Sequence, residues 1–94
     1  MNHKSIDKKD DGKPDWTLLP IKPLIIVIEA LEFGLKKYGR DNWKTIADGK
    51  HRYIKAAFRH IAAMADGEWL DQESKLPHAA CAVCSLLFVL WFGE

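Results

Sequence analysis

The 94-residue chain holds only two cysteines, carries almost no net charge, and contains no apolar run of about eighteen residues. Each lack excludes something. Two thiols close together cannot make the disulfide framework of a small secreted domain, and with no basic-then-apolar leader they argue for a reduced, cytosolic, soluble protein. A formal charge of +1 gives no global pull toward DNA or an anionic membrane, so any electrostatic function must be local and no nucleic-acid polymer is expected as partner. Glycine-rich phosphate loops, G-x-S-x-G elbows and Cys-His-Asn arrangements are missing too, which makes a nucleophilic hydrolase improbable. The length itself leaves no room for a catalytic module plus a separate regulatory one.

What is present is organised. Residues 1–15 hold four Lys and four Asp with one aliphatic side chain besides the initiator Met, and read as a polar tail to a single domain over 16–94. Trp16, Leu18 and Leu19 form a short apolar clip between prolines, with Pro20 and Pro23 favouring extended chain. From Leu24, apolar residues Ile28, Leu31, Leu35 and Tyr38 recur at helical steps opposite Glu29, Glu32 and Lys36, and Gly39 ends the helix. Arg40 to Gly49 is too polar and punctuated for a long helix, although Trp43 should anchor in the core. A second helix follows, with Ile54, Phe58, Ile61 and Ala65 as its buried stripe, Arg52, Lys55 and Arg59 as a basic one, and Gly67 as its stop.

A turn-rich stretch over 68–76 leads to Ser74 as N-cap and Pro77 in the first turn of a third helix. From Ala79 to Phe92 that helix has Ser85 as its only conventional polar residue, so protein must surround it. About three helices cannot do so, and the expected fold is all-α, with an extended N-terminal segment, assembled as a homo-oligomer.

The charge cancels in total but not in distribution. Lys36, Lys37, Arg40, Lys44, Lys50, Arg52, Lys55 and Arg59 are opposed in their window only by Asp41 and Asp48, eight cations against two anions, whereas the next charges, Asp66, Glu68, Asp71 and Glu73, are all acidic. Such segregation suits a phosphate group beside a divalent cation, since guanidinium and ammonium groups match phosphoryl oxygens and carboxylates match Mg2+. Each charge taken singly is ordinary solvated surface, the norm for isolated charges; only the segregation argues for a site. His60, with Ala56 and Ala63 beside it, is open to a metal, a phosphate oxygen or a role as base, or else to a plain helix-interface bond. His78 sits where helix amides favour anions. Glu29 and Glu32 share one side of the first helix, as metal-dependent nucleotide hydrolases require, though Glu32 and Lys36 also have ion-pair spacing. His78, Cys81 and Cys84 on one helix spread over about 240° and cannot easily share a zinc ion.

Three segments, DDGKPDWTLLP (10–20), FGLKKYGRDNWK (33–44) and FRHIAAMADGEWLDQESKLPHAACAVCSLLF (58–88), together resemble a small phage-associated family, the N-terminal domain of dATP/dGTP diphosphohydrolases. The resemblance implies a helical fold similar to MazG-type pyrophosphohydrolases, in which carboxylate-bound Mg2+ activates water and pyrophosphate is released. It carries over Gly12, Lys13, Lys37, Tyr38, Asn42, Trp43, Arg59, His60, Glu68, Asp71, Glu73, Ser74 and His78. Lys75 stands where the pattern has Gly, and would fit less easily if the backbone there needs positive φ.

The expected function is therefore binding of a purine nucleotide by Lys13, Lys37, Tyr38, Asn42, Trp43, Lys55, Arg59 and His78, with Mg2+ on some of Glu29, Glu32, Glu68 and Asp71. In its catalytic version His60, Glu68 and Asp71 serve hydrolysis of dATP or dGTP to monophosphate and pyrophosphate. The alternative is a phage protein that sequesters a host signalling nucleotide, cyclic or linear, against host defence, without turnover.

Overall fold

The computed structural model describes residues 12–94, so the tail expected over 1–15 falls mostly outside the described residues, and Gly12 to Asp15 are exposed. Among the described residues the fold is all-α: α1 (Ile21–Tyr38), α2 (Gly49–Ala65) and α3 (His78–Phe92), with short 3-10 turns at Trp16–Leu18 and Asn42–Thr45. The one extended pairing among them is an isolated bridge between Leu70 and Pro77. No described helix is long and apolar enough to cross a membrane.

The first helix begins earlier than its periodicity suggests. Pro20 takes the N-cap position and Pro23 falls inside the first turn, where a missing amide hydrogen costs nothing because no carbonyl awaits it. Gly39, at φ 91°, ends the helix and its amide bonds the Leu35 carbonyl at 2.9 Å. Trp16 and Leu18 are exposed rather than clipped against the body.

α3 is the shared neighbour of the other two helices. Against α1 it buries Ala80 and Cys84 on Val27, with Ala30, Leu31 and Phe88 closing over them, and the Cys84 thiol donates to the Val27 carbonyl at 3.5 Å. Toward its far end the contacts become aromatic. Trp43 stacks on Phe88 at 4.2 Å between ring centroids and meets Trp91 edge-on at 5.0 Å, so its expected anchoring is realised from the 3-10 turn. Tyr53 of α2 meets the same Phe88 ring at 4.9 Å. Gly49 opens α2 directly beneath Phe92: a Cβ there would lie 2.5 Å from the ring, so only glycine admits the approach.

Two expectations are corrected. The stripe α2 turns inward is Tyr53, Ala57, His60 and Met64, while Phe58 is 70% exposed and Ile61 is also exposed. Both stripes follow helical steps one residue apart, and the small Ala57 lets α3 come closer than Phe58 would. Ser74 does not cap α3. Pro77 occupies that position, and Ser74 works within the preceding loop.

α3 itself inverts the usual rule. Its single hydroxyl residue, Ser85, is 6% exposed, yet Leu90 is 77% exposed and Val83, Leu86, Leu87 and Trp91 also face outward. The helix has no polar side to turn to water, as the sequence requires, and α1 and α2 cover only part of it.

Candidate functional site

The link between α2 and α3 is a tightly closed loop. Gly67, at φ 98°, reverses the chain after α2. The Asp71 amide then bonds the Leu76 carbonyl at 2.8 Å, Lys75 N–H the Asp71 carbonyl at 2.8 Å, and His78 N–H the Trp69 carbonyl at 2.9 Å. Inside this loop Asp71 Oδ2 accepts from both the amide (2.8 Å) and the hydroxyl (2.9 Å) of Ser74, whose Oγ in turn accepts from Leu76 N–H at 3.2 Å. Asp71 is thus held through Oδ2 by one backbone and one side-chain donor of Ser74, with Oδ1 left for another partner.

This fixed carboxylate meets two imidazoles, His60 from the middle of α2 and His78 from the first residue of α3. Their Nδ1 atoms are 2.8 Å apart, and His78 Nε2 lies 2.7 Å from Glu68 Oε2. His78 is buried and Glu68 half-buried. The proton assignment follows from the bonding: a carboxylate only accepts, so His78 carries its proton on Nε2 and offers Nδ1 as acceptor, and His60 donates from Nδ1. In this neutral pair His60 Nε2 retains its lone pair. Burial pushes the His60 imidazole below its ordinary pKa, with His78 and Arg59 adding to the effect and Asp71 opposing it. For Asp71 burial works upward, but the Ser74 hydrogen bonds and the two imidazoles outweigh it and hold the carboxyl below its usual range.

His60, Asp71 and His78 line a cleft of about 440 Å³ together with Lys37, Tyr38, Arg59, Glu73 and Cys81. Lys37 is ion-paired with Glu73, a bond that raises its pKa. Next to it lies a more apolar groove of about 660 Å³, bordered by Leu31, Leu35, Asn42, Trp43, Phe88 and Trp91. Tyr38 and Ala30 line both hollows.

The expected site residues are therefore divided. Lys37, Tyr38, Arg59, His60, Asp71 and His78 come together at the cleft, and Tyr38, Asn42 and Trp43 at the groove. Glu68 stands behind His78 rather than in the cleft wall. Glu32 borders the groove, whereas Glu29, Lys13 and Lys55 are exposed and line neither hollow. Among the described residues, the group whose ligand atoms converge, all within 4.8 Å of one another, is His60, Asp71 and His78. Two imidazole nitrogens and one carboxylate do not suit Mg2+, which prefers a full oxygen shell. Sequence reasoning named all three residues, His60 and Asp71 for hydrolysis and His78 for the nucleotide, but did not join them, because nothing in their spacing reveals that the loop brings Asp71 up to the two imidazoles.

A family model described as "dATP/dGTP diphosphohydrolase, N-terminal" matches residues 3–94. The chain belongs to this family. A relative from Salmonella phage PMBT28, named dATP/dGTP diphosphohydrolase, is 33% identical over 84 residues, covering 89% of this chain and 28% of the phage protein. The chain thus spans under a third of that relative's length. No solved structure matches.

Proposed function

We propose that the chain binds a purine nucleotide across its two adjoining hollows, phosphates in the cleft by Arg59 and Lys37, base in the groove. The observation that carries this reading is Tyr38, which lines both hollows and so joins a polar, cation-flanked space to an aromatic-lined one. Guanidinium and ammonium groups recognise phosphoryl oxygens, and a base stacks favourably on an aromatic ring. The family name and the phage relative's name, both of which specify dATP and dGTP, support a purine.

Turnover to monophosphate and pyrophosphate is the finer proposal. His60 Nε2, with its free lone pair and a pKa lowered by burial, is suited to take a proton from an attacking water, and Arg59 to neutralise charge on the departing pyrophosphate. The place of action would be the cytoplasm of an infected host, where the nucleotide pool is.

Titration calorimetry with dATP and dGTP, beside a pyrophosphate-release assay on the same samples, tests both levels. Arg59→Ala should weaken binding by about tenfold or more, equivalent to the 1.5–3 kcal/mol of a charge-assisted bond. Absence of binding to any purine nucleotide would end the proposal. Binding without product would retire the catalytic version and leave a protein that sequesters nucleotides.

A further inference from the structure

We infer that His60, Asp71 and His78 form a binding site for one divalent transition metal ion of the zinc class, with Glu68 as the positioning carboxylate behind His78. The three ligands come from separate elements, α2, the connecting loop and the start of α3, and one donor atom from each lies within 4.8 Å of the others. Close approach alone is common among surface acids, but here each donor is held. Ser74 fixes Asp71 through Oδ2, which leaves Oδ1 for an ion. Glu68 accepts from His78 Nε2 at 2.7 Å, which orients the ring and presents Nδ1 toward the cluster. That carboxylate–imidazole relay is the usual support for a metal-bound histidine.

The donor chemistry selects the ion. Neutral imidazole nitrogens suit zinc, cobalt and nickel ions, and a two-histidine, one-carboxylate set leaves a fourth tetrahedral position open. All three residues line the cleft that Lys37 and Arg59 border, where water or a phosphoryl oxygen would complete the set. As the ion enters, the proton on His60 Nδ1 would pass to Nε2 of the same ring, which keeps both imidazoles neutral and frees both Nδ1 lone pairs for the ion. The base role of His60 Nε2 then belongs to the metal-free chain. Cys81 and Cys84 are not part of the set. Cys84 donates to the Val27 carbonyl, and Cys81 Sγ is 3.9 Å from Ser74 Oγ, so this site differs from a zinc site made of His78 and the two thiols.

The site stands whether or not a nucleotide binds, and it is tested with metal alone. The full chain carrying His3→Ala and His51→Ala, which removes the remaining histidines, is titrated with Zn2+ and with Mg2+ by calorimetry, and with Co2+ by visible absorption. One Zn2+ per chain is expected, not displaced by a large excess of Mg2+, and the Co2+ form should show tetrahedral visible bands without the near-ultraviolet thiolate band. Asp71→Asn and His60→Ala should each weaken Zn2+ by at least about tenfold, and Glu68→Gln, which leaves all three ligands intact, by about 10- to 100-fold. Circular dichroism on every variant separates lost ligation from lost folding. Zn2+ binding no tighter than Mg2+, a thiolate band with Co2+, or affinity unchanged in both Asp71→Asn and Glu68→Gln would overturn the site.

Discussion

Lys75 sits at φ 65° in the loop that carries Asp71, a left-handed conformation that disfavours a residue with a Cβ. Its side chain is exposed and the bond it makes, to the Asp71 carbonyl, uses only its backbone amide. Lys75→Gly should therefore stabilise the chain by roughly 0.5–1 kcal/mol after the larger unfolded-state entropy of glycine is counted. Thermal denaturation checks this as a rise of a few degrees in Tm. Lys75 is the residue that the motif marked as standing in place of Gly, and its backbone is left-handed there. The thiols behave differently. Burial pushes Cys84 up to about 12 and raises Cys81 as well, against a weaker opposing bond from Ser74. At about pH 8 both should alkylate slowly in the native chain and rapidly once unfolded. The sign for stability follows: the folded chain keeps the Cys84 proton after the unfolded chain has lost it near pH 8.5, so stability declines as pH climbs from there toward 12.

At the level of elements, the loop between α2 and α3 does two things at once. It holds Asp71 against the imidazoles, and it places Glu73 on Lys37 of α1. A phosphate bound as proposed would have to compete with that carboxylate for the ammonium group. Glu73→Gln should consequently raise nucleotide affinity a few-fold, consistent with the small worth of an exposed ion pair, and calorimetry at low and high salt should show the gain fade as salt increases. α1 and α2 were legible because their apolar residues keep a 3.6-residue beat up to the stop signals Gly39 and Gly67, and α3 because a nearly unbroken apolar run follows Pro77. Which face of α2 turns inward was not. Ile54, Phe58 and Ile61 beat in the same time as Tyr53, Ala57 and His60, and only α3's demand for a small contact residue decides between them. The site was half legible for a related reason: composition put cations before acids and singled out His60 and Asp71, but their meeting with His78 depends on hydrogen bonds inside a loop with no periodicity to read.

For the whole molecule, the governing fact is apolar surface left in water. Leu90, Trp91, Leu86, Phe58, Ile25 and Ile28 are all exposed, and covering each is worth at most about 1.5–3 kcal/mol, less where the side chain is already half covered. Light scattering at micromolar concentration should find a dimer or larger assembly. A monodisperse chain of 10.7 kDa would refute that.

The inverted polarity of α3, hydroxyl inward and leucines outward, also has a calorimetric signature. Heat capacity on unfolding comes mainly from apolar groups that meet water for the first time, and side chains such as Leu90 have already met it in the separate chain. Unfolding of dilute protein should then show a heat-capacity increment below the usual 12–15 cal/mol/K per residue. As concentration rises the increment should grow and the midpoint shift upward, because side chains that an assembly keeps from water would meet it only on melting.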